Sequence, residues 1–476
     1  MNPTDAQTAA GGRKPAVLSG FSGFVVLWSG QFLSLVGSSL TGFALAVYVY
    51  RLTGSATTLG IIFALGLLPA TLASPLAGPL VDRWGSRRTL LVSNVGNMLV
   101  TLVLAALLVT DTFAVWHVYV IVSVTSVLGA LEMPAFAAMT PRLVPKEHLG
   151  RANGMRMFAM AASQVLAPVS AGFLLLAIDI SGIVIVDFVS FGFAILTLLL
   201  VRVPHTRPAT PAAEERRPNL LAEFREGLRY VLVRRGLFAL LLFLAAVNFS
   251  SGFIELLITP LVLGFASADA LGTVMSIGGL GMVVSSVAVS VWGGPRRRVR
   301  GMLGFSLLLG AAVVIGSTRP NVALAAAAAF VFLGALGVVI STNQVIWQTK
   351  VEPHLMGRVM ALINMVGLVP QLVANILAGL AVDHVFEPLV GRDEVRSPAL
   401  ATLIGTGPGR GVALLMMIVG LMIIVTVALA ALNPRLRRLE DELPDVAHDD
   451  EPDDDETRAD QPPGGEAAET PATVRA

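Results

Sequence analysis

The chain alternates long apolar runs with short polar turns along most of its length. A bilayer-spanning helix needs about 20 consecutive, mostly apolar residues. Twelve runs meet this requirement, at 21–50, 56–81, 89–110, 114–139, 153–178, 182–202, 236–263, 269–293, 301–317, 321–347, 358–385 and 411–432. In lipid, backbone N–H and C=O groups must be satisfied within the segment, which favours helices. The pattern therefore predicts an all-α membrane protein with twelve transmembrane helices.

Composition and charge placement support a membrane protein and orient it. Hydrophobic residues make up 55% of the chain and charged residues 14%, against about 25% charged residues in a soluble domain. Of the 33 Lys and Arg residues, 26 fall in segments on one side of the predicted spans, five on the other, and two near the C-terminus. Because basic loops stay in the cytoplasm, we expect both termini to be cytoplasmic. Thirty of these 33 residues are arginine, which favours a bacterial genome of high GC content, so we expect a bacterial cell membrane.

Polar segments divide the chain into two six-helix halves with a linker between them. The predicted divisions are a cytoplasmic N-terminal segment (1–20), an N-terminal half (21–202), a cytoplasmic linker (203–235), a C-terminal half (236–435) and an acidic tail (436–476). The end of the linker has apolar residues at helical spacing with arginines on other faces, which predicts an amphipathic helix on the inner leaflet. Residues 440–476 carry fourteen acidic residues and two arginines, and we expect this tail to be disordered.

The two halves contain related phrases. "TPRLVPKEHLGRANGM" follows the fourth span and "TKVEPHLMGRVMAL" follows the tenth, which places Arg151 and Arg358 207 residues apart. The phrase "LG" at 59–60 returns at 271–272, 212 residues later. Repeated halves are a common construction in secondary transporters, whose substrate site lies between them. The spacing therefore predicts two six-helix pseudo-repeats.

The stretch "AGPLVDRWGSRRTLL" (77–91) interrupts the apolar pattern between the second and third spans. It resembles the inner-loop motif of the major facilitator superfamily. The matching residues are Gly78, Leu80, Asp82, Arg83, Gly85, Arg87 and Arg88. The phrases "LWSGQFLSLVGSSLTGFAL" (27–45) and "FREGLRYVL" (224–232) are similar to the bacterial drug/proton antiporter branch that contains macrolide-efflux-type exporters. The resemblance implies the major facilitator fold.

The same resemblance implies a gating role for this stretch. It places a partner of Asp82 near the start of the eleventh span, around 357–359, where Arg358 is also available. An acidic side chain facing a helix N-terminus is stabilised there, so this contact would hold the halves together when the inner side is closed. The alternative is that Arg83, Arg87 and Arg88 only enforce topology.

Acidic residues inside spans are costly and therefore mark candidate functional groups. Glu132, Asp187 and Glu255 are our candidates for proton coupling, with Glu132 first because it lies near mid-membrane beside a proline. Structural hydrogen bonding is the alternative role for each. We place Asp383 at the outer surface. Many relatives carry an aspartate after the glycine of the first span, where this chain has Ser38.

Polar side chains in the spans are candidates for lining a substrate cavity, although hydrogen bonding between helices is an equal explanation. They are Gln31, Gln164, Asn248, Asn364, Gln371 and Asn375. "APVSAG" (167–172) resembles a loose form of the fifth-span motif of antiporters, in which Pro168 and Gly172 would bend the helix and permit close packing.

These observations predict a secondary active exporter of an amphipathic small organic compound, working by proton antiport. The alternatives are a proton-coupled importer, or a transporter-like sensor or scaffold that moves nothing. None of the three lysines follows a glycine, so the phosphate loop of an ATP-driven pump is missing. The expected partners are the substrate, protons and lipid; we expect no enzymatic activity, cofactor, metal or nucleic acid. The oligomeric state, a monomer included, is left open by the sequence.

Overall fold

The computed structural model describes residues 20–201, 220–352, 355–390 and 409–442, without the side chains of 220–224 and 441–442. Within them, twelve helices are long and apolar enough to cross a membrane, as predicted. The N-terminal segment, the first part of the linker, most of the 387–411 loop and most of the acidic tail lie outside the described residues. Our expectations for those segments therefore stay predictions.

The helices form two halves in chain order. The first half contains α1 (Gly20–Thr53), α2 (Ala56–Trp84), α3 (Ser86–Val109), α4 (Val115–Leu143), α5 (Leu149–Ala177) and α6 (Asp179–Leu200). A linker helix, α7 (Leu220–Val233), precedes α8 (Arg235–Leu263), α9 (Ala268–Trp292), α10 (Arg298–Ser317), α11 (Val322–Lys350) and α12 (Met356–Ala381). A π-helical turn, Val382–Phe386, and the short α13 (Glu387–Val390) extend α12 into one span. The chain continues as α14 (Arg410–Leu432), α15 (Pro434–Arg437) and α16 (Leu439–Glu442).

Within each half the helices pack mainly on one another. In the first half α1 contacts α5 and α6, and α3 contacts α4 and α6. In the second half α11 packs on α9 and α10, and α8 packs on α12 and α14. The main contacts between the halves are made by two helix pairs, α2 with α12 and α5 with α9. We call these pairs the two seams.

Short connections make the helices run alternately in opposite directions, which gives the bundle two distinct ends. At one end, the start of α3 meets the end of α6, and the start of α8 meets α15 and α16. This end holds most of the arginines, and we call it the arginine-rich end. At the other end, called the opposite end, α2 and α9 begin and α5 and α12 finish.

The linker helix α7 packs against protein. Its Tyr230 and Val231 are buried, and the backbone of Gly227 approaches the carbonyl of Arg358 at the start of α12. Arg225 and Arg229 are exposed on the other side, so the helix is amphipathic over its described side chains. Its apolar face packs on α8 and α12 of the second half at the arginine-rich end, and its expected contact with a membrane surface stays a prediction.

Candidate functional site

The turn between α2 and α3 has a backbone conformation that explains one of its glycines. Gly85 ends α2 and starts α3 with a φ of 83°, a region that glycine adopts without strain. Its N–H bonds to the carbonyl of Val81, and its own carbonyl accepts from Thr89. Gly78 differs, because a Cβ there would meet nothing within 4 Å. Among the described residues, no other helix therefore approaches Gly78 closely in this arrangement of the halves.

The charged residues of this turn have different surroundings. Arg87 donates from Nη2 to the carbonyl oxygens of Leu198 and Leu199, each at 3.2 Å. It therefore caps the end of α6, where a cation interacts favourably with the helix dipole. Asp82 and Arg83 are exposed, and within the described residues neither has a hydrogen bond or ion pair. Arg88 is also exposed.

Arg358 forms an ion pair with Glu226, a residue that the sequence does not single out. Its Nη1 lies 2.7 Å from Oε2 of Glu226 on α7. The proposed partner region of Asp82 at the start of α12 is thus tied to the linker helix. A Cβ at the neighbouring Gly357 would meet nothing within 4 Å. Among the residues that the structure describes, none lies within 4 Å of that position, and Asp82 makes no contact with the start of α12.

The opposite end carries a carboxylate contact between the halves. Asp383, in the π-helical turn after α12, accepts from the hydroxyl of Ser55 at 2.7 Å and from the backbone N–H groups of Ala56 and Thr57 at 3.0 and 2.8 Å. It therefore caps the first turn of α2, whose N–H groups have no partner within the helix. Asp383 lies half-buried at the opposite end and joins the two halves; its location at the outer surface stays a prediction.

Two glycines at the seams occupy equivalent positions in the repeats. A Cβ at Gly60 of α2 would collide with the carbonyl oxygen of Asn375 on α12, and a Cβ at Gly272 of α9 would collide with that of Pro168 on α5. Gly60 and Gly272 are 212 residues apart, the offset found in the sequence. Pro168 and Asn375 are 207 residues apart, which is the second offset. The two seams are thus related by the repeat.

A second pair of glycines repeats this arrangement nearer the opposite end. A Cβ at Gly379 would lie 2.6 Å from the carbonyl oxygen of Ala56, and one at Gly172 would lie 2.8 Å from that of Ala268. These residues keep the same two offsets. The predicted close packing at Gly172 is therefore present, and its partner is a helix of the other half. At the opposite end the halves are closed along both seams.

The α5–α9 seam contains one hydroxyl that we missed in the sequence. Ser276 of α9 accepts from the backbone N–H of Val169 at 3.2 Å and donates to the carbonyl of Val165 at 2.5 Å. These two groups are four residues apart in α5, so the hydroxyl of the other half bonds to the backbone of one turn of that helix, next to Pro168. Such contacts occur where helices bend. Nothing in the pattern around Ser276 distinguishes it from other serines in spans.

Glu132 lies in a polar cluster inside the first half. Its Oε1 accepts from Ser93 at 2.9 Å and from Asn97 at 2.8 Å, both on α3. Asn94, on the same helix, is fully buried, and neither atom of its amide has a partner among the described residues. Within those residues Glu132 has no basic group at ion-pair distance. The cluster therefore brings a carboxyl together with buried polar atoms between α3 and α4.

Asp187 of α6 lies in a second cluster made of hydroxyl groups. Ser38 of α1 donates to its Oδ1 at 3.2 Å, and Thr101 of α3 approaches Oδ2 at 3.5 Å. The side chain is 3% exposed. A carboxyl thus lies beside Ser38, the residue that follows the glycine Gly37 in the first span. The neighbouring Gly37 allows this contact, because a Cβ there would lie 2.9 Å from Oδ1.

A cavity of about 320 Å³ lies in the second half, toward the opposite end. Most of its lining consists of apolar side chains from α8, α9, α10, α11 and α14. The polar residues that line it are Gln164 of α5 and Ser251 and Glu255 of α8. Gln371 of α12 donates to Oε2 of Glu255 at 2.7 Å. The structure therefore brings together three sequence candidates, Gln164, Glu255 and Gln371, at one site.

The remaining cavity candidates are placed differently. Asn248 donates to the carbonyl of Leu244 in its own helix and lies near Gly367. Asn375 is buried in the α2–α12 seam, while Asn364 is exposed. Nε2 of Gln31 is buried without a partner among the described residues. No group of three or more His, Asp or Glu side chains suited to a metal occurs in the part of the chain that the structure describes.

Comparison with known proteins agrees with this architecture. The family model described as Major Facilitator Superfamily matches residues 27–375. Macrolide efflux protein A of Streptococcus pyogenes is 24% identical over 375 residues, which cover 76% of this chain and 90% of that protein. The enterobactin exporter of Shigella boydii serotype 18 is 24% identical over 212 residues, or 44% and 49% of the two chains. The crystal structure of a bacterial homologue of the human lysosomal transporter Spinster, inward-facing and unoccupied, has a TM-score of 0.67 at 14% identity, and covers 89% of this chain and 98% of that one.

Proposed function

The chain belongs to the major facilitator superfamily, and from this premise we propose that it is a secondary active exporter of amphipathic small organic compounds. We propose that export is driven by proton antiport and proceeds by alternating access. In this cycle the substrate site between the halves opens to one side of the membrane at a time. The arginine-rich end is taken as cytoplasmic, on the basis of the uneven distribution of basic residues.

The observation that carries this proposal is the difference between the two ends. At the opposite end both seams are closed, with Gly60, Gly172, Gly272 and Gly379 against partner backbones. At the arginine-rich end, a Cβ at Gly78 or at Gly357 would meet none of the described residues within 4 Å. A molecule closed at one end and open at the other is what one state of an alternating-access cycle requires. If the arginine-rich end is cytoplasmic, this state is inward-open.

Two carboxyls support coupling to protons. Glu132 and Asp187 lie inside the first half with hydroxyl and amide partners. Among the described residues neither has a basic group within ion-pair distance. An acidic group inside a membrane without a cationic partner is a candidate for carrying a proton. We assign the first role to Glu132, and Asp187 is the second candidate.

The direction of transport is supported by the relatives. Proteins similar over 76% and 44% of this chain carry names that refer to efflux or export. The cavity beside Glu255 has mainly apolar walls with a few polar groups, which is typical of sites for amphipathic ligands. The proposed substrate class therefore rests on the cavity lining together with the functions of relatives.

The test is expression in a bacterial host that lacks its own efflux pumps, with a panel of amphipathic compounds. We expect resistance to at least one compound, lower accumulation of that compound in the cells, and loss of both when the proton gradient is collapsed. Resistance that survives collapse of the gradient would refute proton coupling. Greater uptake of a nutrient with no change for the panel would favour an importer, and no movement of any solute would favour a sensor.

A further inference from the structure

The cavity in the second half contains one charged group in apolar surroundings. Its walls carry no Lys, Arg or His, and Glu255 is the single ionisable residue among the residues that line it. The side chain of Glu255 is exposed in the structure, although the residue lies in the middle of a bundle of spans. The carboxylate therefore faces the cavity, while Ser251, one helical turn away, lines the same wall.

Gln371 of α12 forms a hydrogen bond with the Glu255 carboxylate. It donates to Oε2 at 2.7 Å, and the backbone of Gly252 packs on Gln371 so closely that a Cβ there would lie 2.7 Å from the Gln371 carbonyl oxygen. The crossing of α8 and α12 thus fixes both residues. Gln371 acts as a positioning residue, because it occupies one carboxylate oxygen and leaves the other to face the cavity.

The hydrogen bond from the neutral amide of Gln371 does not offset the free-energy cost of a carboxylate among apolar side chains. A carboxylate that faces a cavity with apolar walls is unfavourable unless an opposite charge accompanies it. Within the described residues no basic side chain lies at ion-pair distance from Glu255. A positively charged ligand would supply the missing partner, whereas an anionic ligand would be repelled by a like charge in a medium of low dielectric constant.

We propose that this cavity binds an amphipathic organic cation with a single positive charge. The charged group lies against the free oxygen of Glu255, and the apolar body lies among the side chains of α9, α10 and α11. At about 320 Å³ the cavity is near the lower limit of ligand sites, which suits a compact ligand or one part of a larger one. Gln164 brings α5 of the first half into the site. This inference rests on the proposed function, since it names the class of compound that is exported.

The test uses two probes of nearly equal shape and opposite charge, tetraphenylphosphonium and tetraphenylborate. Binding of each is measured by equilibrium titration to the purified full chain in lipid nanodiscs. We expect the chain to bind the cation and not the anion. Glu255→Gln should weaken binding of the cation about tenfold or more, and Glu255→Asp should weaken it less. Glu147→Gln removes the same charge from an exposed position and should leave the affinity unchanged.

A second variant keeps the test valid if Glu255→Gln does not fold. Ala329 lines the cavity, and Ala329→Leu should abolish binding of the cation while Glu255 is intact. Gln371→Leu should weaken binding of the cation, with Gln371→Asn restoring part of it. Unchanged affinity in Glu255→Gln, or equal binding of the two probes, would overturn the inference. These results do not depend on transport, so failure of export with binding intact would refute the proposed function alone.

Discussion

Asp383 caps a helix that belongs to the other half of the molecule: its Oδ2 accepts the backbone N–H of Thr57 at 2.8 Å. The π-helical turn after α12 places the carboxylate over the first turn of α2. Asp82, at the far end of α2, is the sequence candidate for a similar contact with the start of α12. The α2–α12 seam thus has an acidic residue at each end, and only the contact of Asp383 is formed in this arrangement.

Asp383→Ala should favour opening at the opposite end. Loss of a helix cap costs about 1 kcal/mol, which is about a fivefold shift in the equilibrium between the two states. The chain has no cysteine, so Ala268→Cys can report on the α5–α9 seam, where Ala268 is fully buried. Reaction of this cysteine with maleimide should be faster in Asp383→Ala. Asp111→Asn, an exposed position at the same end, serves as the control and should react at the original rate.

Asp82→Asn should have the opposite effect to Asp383→Ala and slow the labelling of Ala268→Cys. Loss of a contact that exists only when the arginine-rich end is closed leaves the present arrangement more populated, so Ala268→Cys should react more slowly. Transport should decrease, while the amount of protein in the membrane stays the same. Arg88→Gln, which changes a charge six residues away, is the comparison. Normal transport in Asp82→Asn would reduce the stretch 77–91 to a topology signal.

Glu132→Gln should separate proton-driven export from substrate exchange. Glutamine can keep the hydrogen bonds from Ser93 and Asn97 but cannot release a proton. Export against a gradient should fall about tenfold or more, whereas exchange of labelled for unlabelled substrate across vesicles should continue. Asp187→Asn is measured in parallel. If Glu132→Gln exports normally and Asp187→Asn does not, the coupling role belongs to Asp187.

Gly60→Ala and Gly272→Ala should each destabilise the closed opposite end. The added methyl group would collide with a carbonyl oxygen of the partner helix, and such overpacking costs about 1–3 kcal/mol. Faster labelling of Ala268→Cys is the expected result in both variants. Gly42→Ala and Gly192→Ala place the same methyl group where nothing lies within 4 Å. They should have no effect on labelling, and an equal effect in all four variants would contradict the role of the seams.

The sequence predicts the spans and the repeat well, because apolar length and local spacing determine both. The twelve helices and the offsets of 207 and 212 residues are present in the structure. The contacts of individual side chains between distant helices are not local properties. The cap by Asp383 needs a π-helical turn and the first turn of α2 in the other half, and no pattern around residue 383 specifies either.

Similar reasons apply to the other residues that were missed or placed differently. Arg87 bonds to α6, and Arg358 bonds to Glu226 of the linker helix. Both pairs are far apart in the sequence, and the hydrophobic periodicity gives information only on neighbouring residues. The acidic candidates were found because charge within an apolar run is conspicuous. Their hydrogen-bond partners, such as Ser38 for Asp187, depend on which helix faces which, and only the packed structure gives that.

The unequal polar contacts of the two seams have a consequence for the order of events during opening. The glycine contacts are present in both seams. Within the described residues, by contrast, the Asp383 cap occurs only in α2–α12 and the Ser276 hydrogen bonds only in α5–α9. The Asp383 cap lies at the end of its seam and is released by a small displacement of α2. The Ser276 hydroxyl bonds to two backbone groups of α5, so its release requires a larger movement of that helix. We therefore expect the opposite end to part first along α2–α12 and afterwards along α5–α9. A transporter with twofold-related halves would then follow a cycle that is asymmetric in time.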